Sequence, residues 1–75
     1  MKDKFEVIES FGERLRMLRE DKGLSQRAFA KILGVGHAII SSWELNIHEP
    51  TLHNIKAIAQ YFNVSADYLI CLKDE

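Results

Sequence analysis

LSQRAFAKILGVGHAIISSWE, residues 24 to 44, carries two short apolar stripes separated by Gly34, Val35 and Gly36. A three-residue link is too short for two helices to fold back antiparallel, so they must cross steeply. Such a crossing brings backbones close and needs a small residue in the first helix, which Ala30 supplies. Phe29, Leu33, Val35, Ile40 and Trp43 sit at the offsets that fill the angle between the two helices.

The same start signal recurs along the chain. Leu24-Ser25 precedes Phe29, Val35-Gly36 precedes Ile40, and Val64-Ser65 precedes Leu69. Each is an apolar residue, a capping residue, and an apolar residue five positions after the first, the spacing of a hydrophobic staple around an N-cap. Pro50-Thr51 followed by Ile55 is a weaker version. Ser10-Phe11-Gly12-Glu13 fits a capping box, Phe11, Leu15 and Leu18 continue it as one stripe, and Gly23 supplies the stop. These signals predict helices over 11–22, 26–33, 37–44, 52–62 and 66–71. Ile55, Ile58, Ala59 and Phe62 form the buried stripe of the fourth. Nowhere does a β-branched run alternate between turns, so the fold class is all-α with five helices. Residues 1–10 read as a flexible N-terminal arm and residues 11–75 as a single domain.

Bulk properties narrow the function. The chain has 75 residues, 47% apolar and 28% charged, the profile of a soluble globular domain near the lower size limit for folding alone. Its one cysteine, Cys71, cannot form an internal disulfide and reads as a small apolar filler. There is no signal-peptide pattern and no apolar run of membrane-spanning length, which places the protein in the cytoplasm with no membrane partner. The net charge of −1 hides an asymmetry. Residues 14–31 hold Arg14, Arg16, Arg19, Lys22, Arg27 and Lys31 against Glu20 and Asp21, a balance of +4. A basic first third suits an anionic partner or a solvated helical face. His37, His48 and His53 lack ligand spacing and a carboxylate or thiol cluster, so no metal or cofactor is expected. No nucleophile–base pair or phosphate loop suggests an enzyme.

The stretches GERLRMLREDKGLSQRAFAKILGVGHAIISSWE and EPTLHNIKAIAQYFNVSADYLI resemble the Cro and phage-repressor family of helix-turn-helix domains. The likeness covers residues 11 to 71. Its most characteristic pieces are Arg19, Gly23-Leu24-Ser25-Gln26, Ala30, Gly34-Val35, Trp43-Glu44 and Val64-Ser65. It implies a five-helix domain binding operator DNA as a symmetric dimer, with the 26–33 and 37–44 helices as the helix-turn-helix. With Ile40 and Trp43 inward, His37, Ala38, Ser41 and Ser42 lie outward, and the resemblance makes these the residues that face base edges in the major groove. Gln26 at a helix N-terminus suits a phosphate oxygen, and the resemblance gives it that role. Arg27, Lys31 and Asn46 complete the expected backbone contacts. The resemblance further implies a structural ion pair between Arg19 and Glu44.

Tyr61, Tyr68, Ile70 and Leu72 exceed what so small a domain easily buries, and the resemblance makes them dimer-interface candidates. Simple core packing is the alternative. Several residues depart from the family pattern: Gly36 at a cap usually Ser or Thr, Leu45-Asn46 for a common Asn-Gly, and a loop Ile47-His48-Glu49 without cations. Ile39 is left open between burial under that loop and contact with a partner. The expected function is a sequence-specific transcription regulator, a repressor reading a palindromic operator, with modest affinity per monomer. The alternative is a helix-turn-helix used for protein contact, such as a regulatory or antitoxin subunit. The uncharged third helix, the acidic C-terminal half and the apolar Phe5, Val7 and Ile8 of the arm favour it.

Overall fold

Four of the five helices begin on a side chain that closes their own first turn. In the computed structural model, which describes residues 10–73, Ser10, Ser25, Thr51 and Ser65 accept the backbone N–H groups of Glu13, Ala28, Asn54 and Tyr68. Each such cap stabilises its helix by about 0.5–2 kcal/mol. The helices are α1 (Phe11–Asp21), α2 (Gln26–Leu33), α3 (His37–Glu44), α4 (Leu52–Phe62) and α5 (Ala66–Leu69). No strand occurs among the described residues, and the fold is all-α. The expected flexible arm, apart from Ser10, lies outside the described residues.

Two helix ends differ from the sequence expectation. Helix α1 stops at Asp21 with Lys22 as its cap, one residue early, and Gly23 takes the left-handed conformation beyond it at φ 70°. Helix α5 is shorter than expected. Leu72 N–H returns to the Asp67 carbonyl and Cys71 N–H to that of Tyr68, with Cys71 left-handed at φ 67°. This pair of bonds is the Schellman closure, which glycine usually serves. The sequence offered no glycine there to mark the stop.

The core gathers one stripe from every helix. Leu15, Phe29, Ala30, Ile40, Trp43, Ile58, Ala59, Phe62 and Leu69 are buried, and the staple residues Leu24, Val35 and Val64 pack against them. Phe29, Tyr61 and Phe62 form an aromatic cluster with ring centroids 5.1–6.0 Å apart. Ala30 is buried at 2% exposure as part of this core. Helix α1 approaches α3 more closely still. A Cβ on Gly12 would stand 2.7 Å from the Trp43 carbonyl oxygen, inside any tolerable contact. The result is a corner of α2 and α3 backed by α1.

Candidate nucleic-acid interface

Helix α2 ends on Gly34 at φ 76°, and α3 begins two residues later on Gly36 without a side-chain cap. This short corner sets the outer edge of α3 beside the N-terminus of α2. His37, Ala38, Ser41 and Ser42 line one shallow hollow with Gln26, Leu45 and Ile47. The four residues expected to face base edges therefore share a surface with one of the four expected at the backbone. His37 and Ala38 are exposed, and the two serines are half-buried. The Ser42 hydroxyl donates to the Ile39 carbonyl at 2.8 Å, so what its oxygen retains is acceptor capacity. Ile39 itself remains partly exposed.

Behind the hollow lies a charged network. Arg19 Nε and Nη2 donate to the two carboxylate oxygens of Glu44 at 2.6 and 3.0 Å, and Nη1 donates to the Leu24 carbonyl at 2.7 Å. Both side chains are sheltered from water. The hydrogen bond to Glu44 raises the Arg19 pKa above its ordinary value, against the opposing effect of burial. Gln26 Nε2 donates to Glu44 as well, at 3.0 Å, which fixes the amide and leaves its carbonyl oxygen free of that contact. One carboxylate thus ties α1, α2 and the end of α3 together.

The basic third of the chain separates into different uses. Arg14 is buried, donates to the carbonyls of Tyr68 and Lys73 at 2.9 and 3.4 Å, and stacks 4.1 Å above the Tyr68 ring. Lys22 lies 5.4 Å from the Tyr61 ring centroid. Arg16 pairs with Glu20 on the open side of α1. Arg27 and Lys31 are exposed and line a separate hollow on α2 with Ala28 and Ile32. No ion pair joins either to a carboxylate among the described residues. Asn46 turns toward the start of α1: Oδ1 accepts from Gly12 N–H at 3.0 Å and Nδ2 donates to Ser10 Oγ at 3.1 Å. These bonds tie the loop after α3 to the start of α1 and use one of the two Nδ2 hydrogens.

Of the interface candidates, Tyr61 and Tyr68 are half-buried and offer ring faces to neighbours inside the domain. Ile70 and Leu72 are exposed, Leu72 to 72%. A roomier hollow of about 450 Å³ lies across the 45–51 loop, lined by Phe11, Asn46, His48, Glu49, Pro50, Ile55 and Ile70. Of the residues expected to touch DNA it contains only Asn46. No three His, Cys, Asp or Glu side chains gather as a metal site among the described residues, and none of their helices is long and apolar enough to cross a membrane. Sequence reasoning missed Gly12, Arg14 and Arg16 as individuals. A glycine inside a first helical turn was the one available signal, since it costs about 1 kcal/mol without a packing reason.

Known proteins share this arrangement. The chain is 37% identical over 60 residues to the transcriptional activator BcrR of Enterococcus faecalis, covering 80% of this chain and 29% of that protein. Against repressor protein C2 of Salmonella phage P22 it is 37% identical over 59 residues, 79% of this chain and 27% of the other. The crystal structure of the P22 c2 repressor in complex with a synthetic operator superimposes with a TM-score of 0.78 at 35% identity, over 84% of this chain and 96% of that one. The chain spans less than a third of the length of BcrR and of C2. A helix-turn-helix family model matches residues 15–69, a span that enters all five helices and includes the whole α2–α3 corner. The chain belongs to the helix-turn-helix family.

Proposed function

We propose that this chain binds duplex DNA sequence-specifically with α3 in the major groove and regulates transcription in the cytoplasm, as a repressor dimer on a palindromic operator. The observation that carries this reading is the convergence of His37, Ala38, Ser41 and Ser42 with Gln26 in one open hollow at the corner. The P22 c2 repressor, of the same fold, was solved on operator DNA, which supports the same use here. Base edges are read by placed donors, acceptors and methyl contacts, while positive charge serves phosphates. An uncharged α3 is compatible with that division. His37 offers a donor to a guanine acceptor, Ala38 a methyl to thymine, and Ser42 an acceptor. Arg27 and Lys31 supply charge from α2. Every role is one of binding, none of catalysis.

The test is selection of duplexes from a random pool at low salt. An enriched motif with two-fold symmetry is expected, its half-sites about one helical turn apart. A pool that stays random after selection would reject the reading.

One observation favours protein contact instead. Leu45 and Ile47, 66% and 63% exposed, stand in the same hollow where a phosphate-facing rim would carry cations. In that reading the domain is a regulatory or antitoxin subunit. Leu45→Ser and Ile47→Ser would then abolish partner binding, and no duplex would be enriched.

A further inference from the structure

Arg16 and Glu20 stand one turn apart on α1 and hold each other in open solvent. Arg16 Nε donates to Glu20 Oε2 at 2.9 Å, and the two side chains are 65% and 53% exposed. The same Glu20 oxygen lies 3.8 Å from Arg19 Nη2. Beside the pair is a hollow of about 190 Å³ lined by Arg16, Arg19, Gln26, Ser41, Glu44 and Leu45. Gln26, Ser41 and Leu45 also line the hollow that carries His37 and Ala38, so the two surfaces are continuous. Arg19 cannot turn outward, because Glu44 and the Leu24 carbonyl hold three of its nitrogens. Arg16 is the cation of this hollow whose donors can be redirected.

We propose that Arg16 is a further phosphate contact of the DNA-binding face and that Glu20 is its competitor within the chain, lowering affinity for every sequence alike. The proposal rests on the DNA-binding reading. A guanidinium presents five donors in a fork that matches a phosphate as well as a carboxylate. An exposed pair four residues apart on a helix is weak, so a phosphate arriving at the hollow can exchange for Glu20. What Glu20 contributes is a constant tax on binding: the Arg16–Glu20 bond must break before Arg16–phosphate forms. Base discrimination, which belongs to α3, is untouched by this exchange.

Binding is measured by fluorescence anisotropy from about 50 to 200 mM salt, the range over which phosphate contacts register. Two probes are used, a duplex enriched by the wild-type chain and a random-sequence duplex of the same length. Arg16→Gln should weaken binding to both and shrink the salt slope by about 0.9. Glu20→Gln should tighten binding to both by about two- to fivefold, the range an exposed pair can supply. In the Arg16→Gln background that gain should fall to the size of the Asp21→Asn gain, which is net charge alone. Asp21→Asn, at an exposed neighbour, corrects for net charge and should give a smaller gain than Glu20→Gln. A Glu20→Gln gain that stays above the Asp21→Asn gain without Arg16 overturns the proposal, as does an unchanged slope in Arg16→Gln. In those cases wild-type binding survives and the DNA reading stands. A wild-type chain that enriches no duplex and binds the random one without salt dependence sinks both.

Discussion

Gly12 has no room for a side chain because the carbonyl oxygen of Glu44 stands where a Cβ would be. Glycine within a helix normally costs about 1 kcal/mol relative to alanine, so Gly→Ala substitutions there tend to stabilise. Here the two nearest obstructing atoms are backbone carbonyl oxygens, which cannot rotate away as a side chain can. Gly12→Ala is expected to lower stability by about 1–3 kcal/mol, as overpacking does. Gly36 is the contrast, with open space around it and φ −74°. Gly36→Ser should add a cap and gain a few tenths of a kcal/mol. Urea midpoints of the two variants check both signs.

Removing either member of the Arg19–Glu44 pair leaves a sheltered charge without its partner. Arg19→Met and Glu44→Gln should each cost about 3 kcal/mol, against ~0–1 for an exposed pair. The double variant should lose clearly less than the two single losses combined, since neither charge is then stranded. Losses under half a kcal/mol in both single variants would show that the contact braces nothing.

Variants of α3 and α2 should fail in different ways on DNA. Ser42→Ala and His37→Ala are expected to lose discrimination at particular base pairs with the salt slope nearly unchanged. Arg27→Ala and Lys31→Ala should weaken binding to all sequences and shrink the slope by about one unit each.

Leu72 is the cleaner probe of self-association, because Tyr68 also supports Arg14. Leu72→Asp places a charge on an exposed apolar position and should leave the fold intact. Sedimentation at micromolar concentration is expected to show the wild type dimeric, or dimeric once DNA is added, and the variant monomeric. A wild type that stays monomeric in both conditions would remove the interface.

The carboxyl of Glu20 is held below its ordinary 4.5 by the hydrogen bond from Arg16, helped by that cation's charge. A depressed folded value means the pair's contribution to stability is present above pH 4.5 and lost as the pH falls through the folded value. Side-chain NMR should find the Glu20 midpoint below 4.5, rising toward it in Arg16→Gln. A midpoint indifferent to Arg16 would break the link.

What could be read from the chain was local. Ser10, Ser25, Thr51 and Ser65 announce helix starts because a cap and the N–H it accepts are three residues apart. Gly34 announces the corner because its left-handed turn is a property of one residue. What stayed hidden is long-range. Arg14 and Arg27 look alike in sequence, and only packing buries the first and exposes the second. Asn46 reaches back 34 residues to Gly12 and 36 to Ser10, a choice that no nearby residue signals. The outer edge of α3 was readable because helical periodicity, once Ile40 and Trp43 are placed inside, fixes the opposite face.

Arg14 changes where this domain ends. Counted by helices, the fold closes at Leu69, and residues 70–73 look like trailing chain that could be trimmed. Yet the buried guanidinium takes an acceptor from Lys73 as well as from Tyr68, while its Nε has no hydrogen-bond partner among the described residues. A chain shortened to Leu69 would strip a dehydrated cation of part of the little compensation it has. The C-terminal edge of the packed domain is therefore set by an interior charge as well as by the last turn of helix.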